Sequence, residues 1–320
     1  MPALSTIPSE AGARPRPAPP GEPAPRRATG HLAKALRRNL TAHGFLIGAV
    51  LCFAVFSWYP MVREFLLAFQ KTESGRTTWV GLDNFRTVAD DPAFWQAWGN
   101  TLLFTVLALV LGFAVPFVAA LVINEFRHAQ SYLRLLVYLP VMLPPVASVL
   151  LFKYLYDPGY GLLNELLGFL GLPEQQWLQD PDISMLAVVI ASTWMNMGGA
   201  TLIYLAALQS IPGELYEAAE LDGAGLLRKI WHVTVPQTRL VLSLMLLMQV
   251  IATMQVFVEP FLLTGGAGPE GSTTTVVYLI YQYAFSFNDY GAAAALGLML
   301  LVLLAGFSAA YVKLSRAEDE

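Results

Sequence analysis

GNTLLFTVLALVLGFAVPFVAALVIN, residues Gly99–Asn124, runs for 26 positions without an Asp, Glu, Lys or Arg. At about 1.5 Å per residue, a helix of that length exceeds the ~30 Å hydrocarbon core of a bilayer. Hydrocarbon offers the backbone no hydrogen-bond partner, so a self-satisfied helix is the expected spanning structure, and the ten-residue alternation of a barrel strand is missing. Five more windows read the same way: Gly44–Val62, Leu135–Phe152, Ile183–Gly213, Leu240–Val258 and Tyr290–Val312. Together they predict an all-α polytopic membrane protein with six transmembrane helices. Pro116, Pro140, Pro144 and Pro145 fall inside them and suit kinked or locally opened helices whose released carbonyls are satisfied by neighbours. Gly271–Asn288, GSTTTVVYLIYQYAFSFN, is also uncharged, but its polar ends leave too short an apolar centre for a crossing. It is expected to be an interfacial or partly inserted helix.

Composition agrees. Of 320 residues 56% are hydrophobic and 13% charged, about half the ~25% charge of an ordinary soluble domain. A net charge of -4 gives no basic surface for a nucleic-acid partner. Cys52 is the lone cysteine, which excludes an internal disulfide and a CxxC site; its apolar surroundings predict a buried thiol. His31, His43, His128 and His232 fall in the tail and the connections, in no arrangement that would hold a metal.

The hydrophilic segments set the topology. Residues 1–43, 125–134, 214–239 and 313–320 hold 14 Lys and Arg, against 5 in the alternate segments 63–98, 153–182 and 259–289. Basic residues are retained on the cytoplasmic side, so both termini are expected there. The Pro-, Ala- and Arg-rich residues 1–40 read as a flexible cytoplasmic tail. They contain no compact apolar run followed by a cleavage site, so the first window is expected to stay as a membrane helix.

The most informative connection is IPGELYEAAELDGAGLLRKIWHVTVPQTR, Ile211–Arg239. Glu214, Glu217, Glu220 and Asp222 form an acidic side, with Leu215, Ala218, Ala219 and Leu221 as small or apolar contacts. Gly223 is placed to break this short helix. Leu226, Leu227, Ile230 and Trp231 can share one face of a second, and Pro236 suits the start of the fifth span, where a missing N–H costs little. Two readings stand on these residues: an amphipathic loop lying on the membrane, or a protein-docking plug.

The ordered motifs resemble the integral membrane permease subunits of bacterial ABC importers, in the carbohydrate-uptake group related to the maltose permeases. Their EAA signature maps onto Glu217, Ala218, Ala219, Gly223, Val233, Val235 and Pro236, with Asp222 completing the local sequence; Val233 and Val235 stand where Ile and Leu are commoner. WVGLDNF (79–85), DPAFW (91–95), NTLLFT (100–105), DPGYGLLN (157–164) and LTGGAGP (263–269) extend the match. The resemblance implies the ABC importer permease (MetI-like) fold, with a tail at 1–40, a six-helix permease domain at 41–313 carrying a coupling loop at 211–239, and a short cytoplasmic tail at 314–320. Glu217 would then be the polar docking residue, Ala218 and Ala219 would permit close approach, Gly223 would make the turn, and Val233, Val235 and Pro236 would connect it to the fifth span.

The resemblance further implies a bacterial inner or cytoplasmic membrane location and three kinds of partner: a second related permease, two cytosolic ATPases and an extracytoplasmic sugar-binding protein. No GxxxxGK[ST] phosphate loop is present, and LTGGAGP lacks the Lys-Ser/Thr that would follow. No cofactor and no catalytic or metal site is therefore expected in this chain; ATP and Mg²⁺ belong to the ATPases. For a solute path, Asn196 and Gln255 are candidate polar surface, Trp194 and Phe257 candidate apolar walls, and Glu259 suits the external mouth or an interhelical contact. An ion-coupled secondary transporter or a nontransporting membrane scaffold are the alternative readings, although no broken-helix ion site or paired intramembrane acids stand out.

Overall fold

The computed structural model describes residues 44, 46–73, 76–126 and 128–317; the tail expected at 1–40 lies outside them. Two compact units divide at Pro60, Met1–Pro60 and Met61–Glu320, and every contact described between elements lies within the second. The helix α1 (Leu46–Leu67) has no buried residue. Cys52 is exposed on it, which corrects the expectation of a buried thiol: lipid is an apolar solvent, so an apolar surrounding in sequence does not require protein around it. A π-helical turn, Ala54–Trp58, precedes Pro60, with the Tyr59 N–H donating to the Ala54 carbonyl. The wider turn accommodates a proline ring that would otherwise strike the carbonyl four residues back.

A hairpin follows, β1 (Gln70–Glu73) against β2 (Arg76–Trp79), with Gln70 opposite Trp79. Next come α2 (Asp83–Asp90) and the 34-residue α3 (Pro92–Glu125). The α3 helix starts well before the charge-free window because Asp91 caps it, accepting from the Ala93 N–H at 2.8 Å, with Pro92 in the first turn. Asp180 and Pro181 repeat this device at the start of the helix Pro181–Gln209.

The third window is not a straight span. It forms α4 (Gln130–Met142) and α5 (Pro145–Leu155), bent by 99° at Leu143–Pro144. Pro144 is extended, at φ -56 and ψ 136, while Pro140 is carried inside α4. A short helix α6 (Leu162–Phe169) leads to α7 (Pro181–Gln209), α8 (Gly213–Leu221) and the 29-residue α9 (Leu226–Met254). The chain ends in α10 (Val258–Thr264), α11 (Val276–Tyr281) and α12 (Tyr290–Ala317). Among the described residues five helices are long and apolar enough to cross a membrane, and the bent α4–α5 pair passes the same test only when its two helices are taken together as one span. The expected break between permease domain and tail at 313–314 falls within α12.

Buried side chains form separate clusters along α3. Phe104 and Ala108 meet Phe152 of α5, Met185 and Val189 of α7, and Leu263 of α10. Toward one end, Phe94 and Ala97 meet Leu279 of α11 and Leu296 of α12. Toward the other, Ala120 and Ile123 meet Tyr204 and Leu208 of α7, with Leu133 and Val241 packed against them.

The resembling motifs turn out to be clamps at the first end. Asn84 of WVGLDNF is buried and donates to the carbonyls of Ala68 at 3.0 Å and Gln70 at 2.9 Å. Asn164 of DPGYGLLN exchanges hydrogen bonds with the Gln175 backbone and accepts from Trp177 Nε1. Asn100 and Thr101 of NTLLFT hold the loop after α10: Asn100 Nδ2 donates to the carbonyls of Gly271 and Thr274, and Thr101 Oγ1 accepts from the Val276 N–H. Within that loop Gly266 has φ +95, and a Cβ there would lie 2.0 Å from the Tyr278 ring, so only glycine fits. The uncharged 271–288 segment is thus helical only near α11, too short to cross. It is tied to the start of α3: Asn100 donates to its Gly271 carbonyl, Thr101 accepts from its Val276 N–H, and its own Tyr283 hydroxyl donates to Asp91, the cap of α3. Asn100→Leu should strand two carbonyls and cost about 2 kcal/mol; thermal unfolding of the purified chain in detergent would read it as a lowered midpoint.

Candidate functional site

Two regions stand out, joined by one helix. The first is the connection between α7 and α9. Helix α8 ends in a Schellman turn: the Ala224 N–H donates to the Ala219 carbonyl and the Gly223 N–H to the Glu220 carbonyl, both at 2.9 Å, with Gly223 left-handed at φ +74. A Cβ on Gly223 would meet nothing within 4 Å, so backbone conformation alone demands glycine.

Beyond the turn the chain does not form a separate second short helix. Leu226–Lys229, a π-helical turn at Ile230–Thr234 and Val235–Met254 are one helix, α9. Pro236 is therefore carried inside a continuous helix and not at its beginning. The π turn, closed by the Val235 N–H on the Ile230 carbonyl, accommodates it as the turn before Pro60 does in α1. Side chains clasp α8 to this helix. Lys229 Nζ lies 2.7 Å from Glu220 Oε1, and the Tyr216 hydroxyl is 3.0 Å from Thr234 Oγ1, which is buried. The Lys229 hydrogen bond holds the Glu220 carboxyl below its ordinary value.

Glu217, Ala218, Asp222 and Gly223 are exposed, Ala219 is half-buried, and Leu221, Leu227 and Trp231 present apolar surface beside them. Among the described residues Glu217 has no side-chain hydrogen bond or ion pair. Val233 and Val235 are half-buried and Pro236 is exposed. The loop is thus a preformed acidic and apolar knob on a rigid stem.

The second region lies where α9 stops. Gln255–Phe257 leave helical geometry, Phe257 at φ -140 and ψ -50, before α10 begins. A cavity of about 310 Å³ opens at this break, bounded by α3, α7 and both sides of the interruption, at the small end of ligand pockets. Asn196, Gln255, Phe257 and Glu259 all line it, with Ser192 and Gln249. Glu259 Oε1 accepts from Ser192 Oγ and Asn196 Nδ2, both at 3.1 Å, tying α10 to α7. Phe257 stacks on Phe261, centroids 5.1 Å apart.

Trp194 is not on the cavity wall. It is half-buried, packing edge-on to Phe152 at 5.4 Å. The α-helical period accounts for this, since Trp194 is two positions from both Ser192 and Asn196 and so points about 160° away from the face those two share.

A family model for the binding-protein-dependent transport system inner membrane component matches residues 112–318. The chain belongs to this family. A probable ABC transporter permease, YurN of Bacillus subtilis, is 34% identical over 86% of the chain and 96% of its own length. The trehalose/maltose transport system permease MalF of Thermococcus litoralis is 33% identical, covering 82% and 89%. A crystallised bacterial alginate ABC transporter, in complex with an alginate pentasaccharide-bound periplasmic protein, has a chain that superposes with a TM-score of 0.78 at 25% identity, covering 89% of this chain and 96% of that one. The fold is that of the MetI-like ABC importer permeases, and this chain is a multi-pass permease subunit of that kind.

Proposed function

We propose that this permease forms half of the transmembrane path of a sugar importer, driven through the α8 knob by separate ATPases. The observation that carries the reading is the continuity of α9. It spans about 43 Å at 1.5 Å per residue, from the Glu220–Lys229 clasp at one end to Gln249, Ala252 and Thr253 on the cavity wall at the other. A displacement of the knob reaches the cavity without crossing a flexible joint.

The other assignments follow from this arrangement. Glu217 and the apolar rim enter a groove of a cytosolic ATPase, and Ala218 and Ala219 allow the backbones to approach. The knob end is cytoplasmic in this reading, which the excess of Lys and Arg in the segments on that side supports. A second permease closes the open side of the cavity, and an extracytoplasmic binding protein delivers the solute, as a periplasmic protein accompanies the alginate transporter. ATP and Mg²⁺ act in the ATPase subunits, where closure favours one orientation of the path and hydrolysis resets it. Such a shift requires ATP to bind the two states unequally. Asn196, Gln255 and Glu259 supply polar groups and Phe257 a face for a saccharide. Neutral and acidic cargoes are both compatible with the family, since relatives are named for trehalose and maltose and for the acidic polysaccharide alginate.

The test is reconstitution of the chain with its co-encoded permease, ATPases and binding protein. ATP-dependent saccharide accumulation, stimulated by the binding protein, is expected. Uptake by this chain alone, or uptake that follows an ion gradient and ignores ATP, would overturn the reading.

A further inference from the structure

The cavity at the α9–α10 break has an uneven supply of hydrogen-bonding groups. Asn196 Nδ2 donates to the Ser192 carbonyl at 2.9 Å and to Glu259 Oε1 at 3.1 Å, which commits both of its hydrogens. Gln255 Nε2 donates to the Ile251 carbonyl at 3.0 Å, and Gln249 Nε2 to the Ala108 carbonyl at 3.3 Å. Ser192 Oγ donates to Glu259, and Thr253 Oγ1 to the Gln249 carbonyl of its own helix. The protein's own contacts thus consume most of the donors. What remains is one amide hydrogen each on Gln249 and Gln255 and the Thr193 hydroxyl, against the larger acceptor capacity of Asn196 Oδ1, Gln249 Oε1, Gln255 Oε1 and the second oxygen of Glu259. Among the described residues no Lys, Arg or His lines the space, and Glu259 is the one charged residue that does.

We infer that Glu259 makes this cavity selective for neutral, hydroxyl-rich saccharides and against saccharides bearing carboxylate, phosphate or sulfonate groups. The inference rests on the import reading and names the cargo class of the same site. A neutral sugar brings hydroxyl hydrogens to the unfilled acceptors. An anionic group brings further acceptors and a like charge, with no cation among the described lining residues to meet it, in a site that the second permease closes off and where charges then interact more strongly than in water. Discrimination arises from the repulsive element as much as from the attractive ones. The Ser192 and Asn196 bonds fix one carboxylate oxygen and so aim the other.

The experiment uses the assembled transporter in lipid nanodiscs without its binding protein, so that the upstream selector is removed. Saccharide binding is measured by saturation-transfer NMR for maltotriose, trehalose and arabinotriose, and for their counterparts carrying a C6 carboxylate or a phosphate. The neutral member of each pair that binds is expected to be preferred at least about tenfold. Glu259→Gln, which preserves shape and an acceptor for Ser192 and Asn196, should shrink that ratio by about tenfold, and Glu259→Lys should invert it. Equal binding of neutral and anionic partners by the native transporter overturns the inference, as does a ratio unmoved in Glu259→Gln. The native ratio decides the matter even if a variant fails to assemble. Binding of no saccharide at all, by a complex that still hydrolyses ATP, would instead sink the import reading on which the inference stands.

Discussion

Gly223→Val is expected to leave the chain inserted and folded across the membrane but to cut ATP-driven uptake at least tenfold. Valine is the harder residue to place at φ +74, where a β-branched side chain costs about 2 kcal/mol. The cheapest relief is to unwind the turn, which gives up the Ala224 and Gly223 hydrogen bonds on the end of α8. The Glu220–Lys229 pair, which bridges the same turn, is then no longer held at 2.7 Å. The α8 knob remains tethered yet loses its fixed angle to α9, so motion at the knob is absorbed locally. Because a Cβ at this position meets nothing within 4 Å, the effect is conformational and not a clash. Gly223→Asn separates the two, since asparagine tolerates the left-handed region and should retain most transport. Measuring uptake and ATPase rate together would show hydrolysis outrunning transport in the valine variant; native coupling in both variants would mean that the turn does not carry the stroke.

The legible parts of this protein were those set by solvent. Charge-free windows located α1, α3, α7, α9 and α12, because lipid excludes charge wherever the helix later packs. The ends were misplaced where capping and continuity decide them. The Asp91–Pro92 and Asp180–Pro181 pairs were visible N-terminal signals that extend α3 and α7 beyond their uncharged cores. The α9 helix begins at Leu226 because a π turn carries it through Pro236, and no local propensity announces a π turn. The 99° bend at Leu143–Pro144 had its prolines in view, but its angle depends on what α4 and α5 pack against.

The cavity was half legible for a related reason. Asn196 was recognisable as a costly polar group within a span, and Gln255, Phe257 and Glu259 as polar or aromatic groups near a span end, whereas Ser192 looked unremarkable in a membrane helix. Its i, i+4 relation to Asn196 was the available signal, and the same periodicity would have set Trp194 aside. The interruption after Met254, which opens the space, depends on core packing around Val256 and Leu263, and sequence spacing carries no record of that.

Glu217→Lys should give the other large loss, a fall of about 100-fold or more in affinity for the ATPase subunit with no measurable loss of folding. The side chain is exposed, and among the described residues it has no hydrogen-bond or ion-pair partner, so its replacement removes nothing that holds α8 together. Exposed substitutions of that kind ordinarily change stability by less than about 0.5 kcal/mol. Docked in a groove, however, the carboxylate is desolvated and must be met by donors; reversing its charge leaves them facing a cation, at a cost of about 2–5 kcal/mol. Glu217→Gln keeps the shape and the acceptor and should lose about tenfold, while Glu214→Lys, one turn earlier, reports what charge reversal alone does to the same helix. Thermal unfolding of the purified permease and co-purification with its ATPase measure the two quantities separately. If Glu217→Lys and Glu214→Lys weaken assembly equally, the contact is a diffuse acidic attraction and Glu217 is not its anchor; if neither weakens it, the ATPase engages a different surface of the permease.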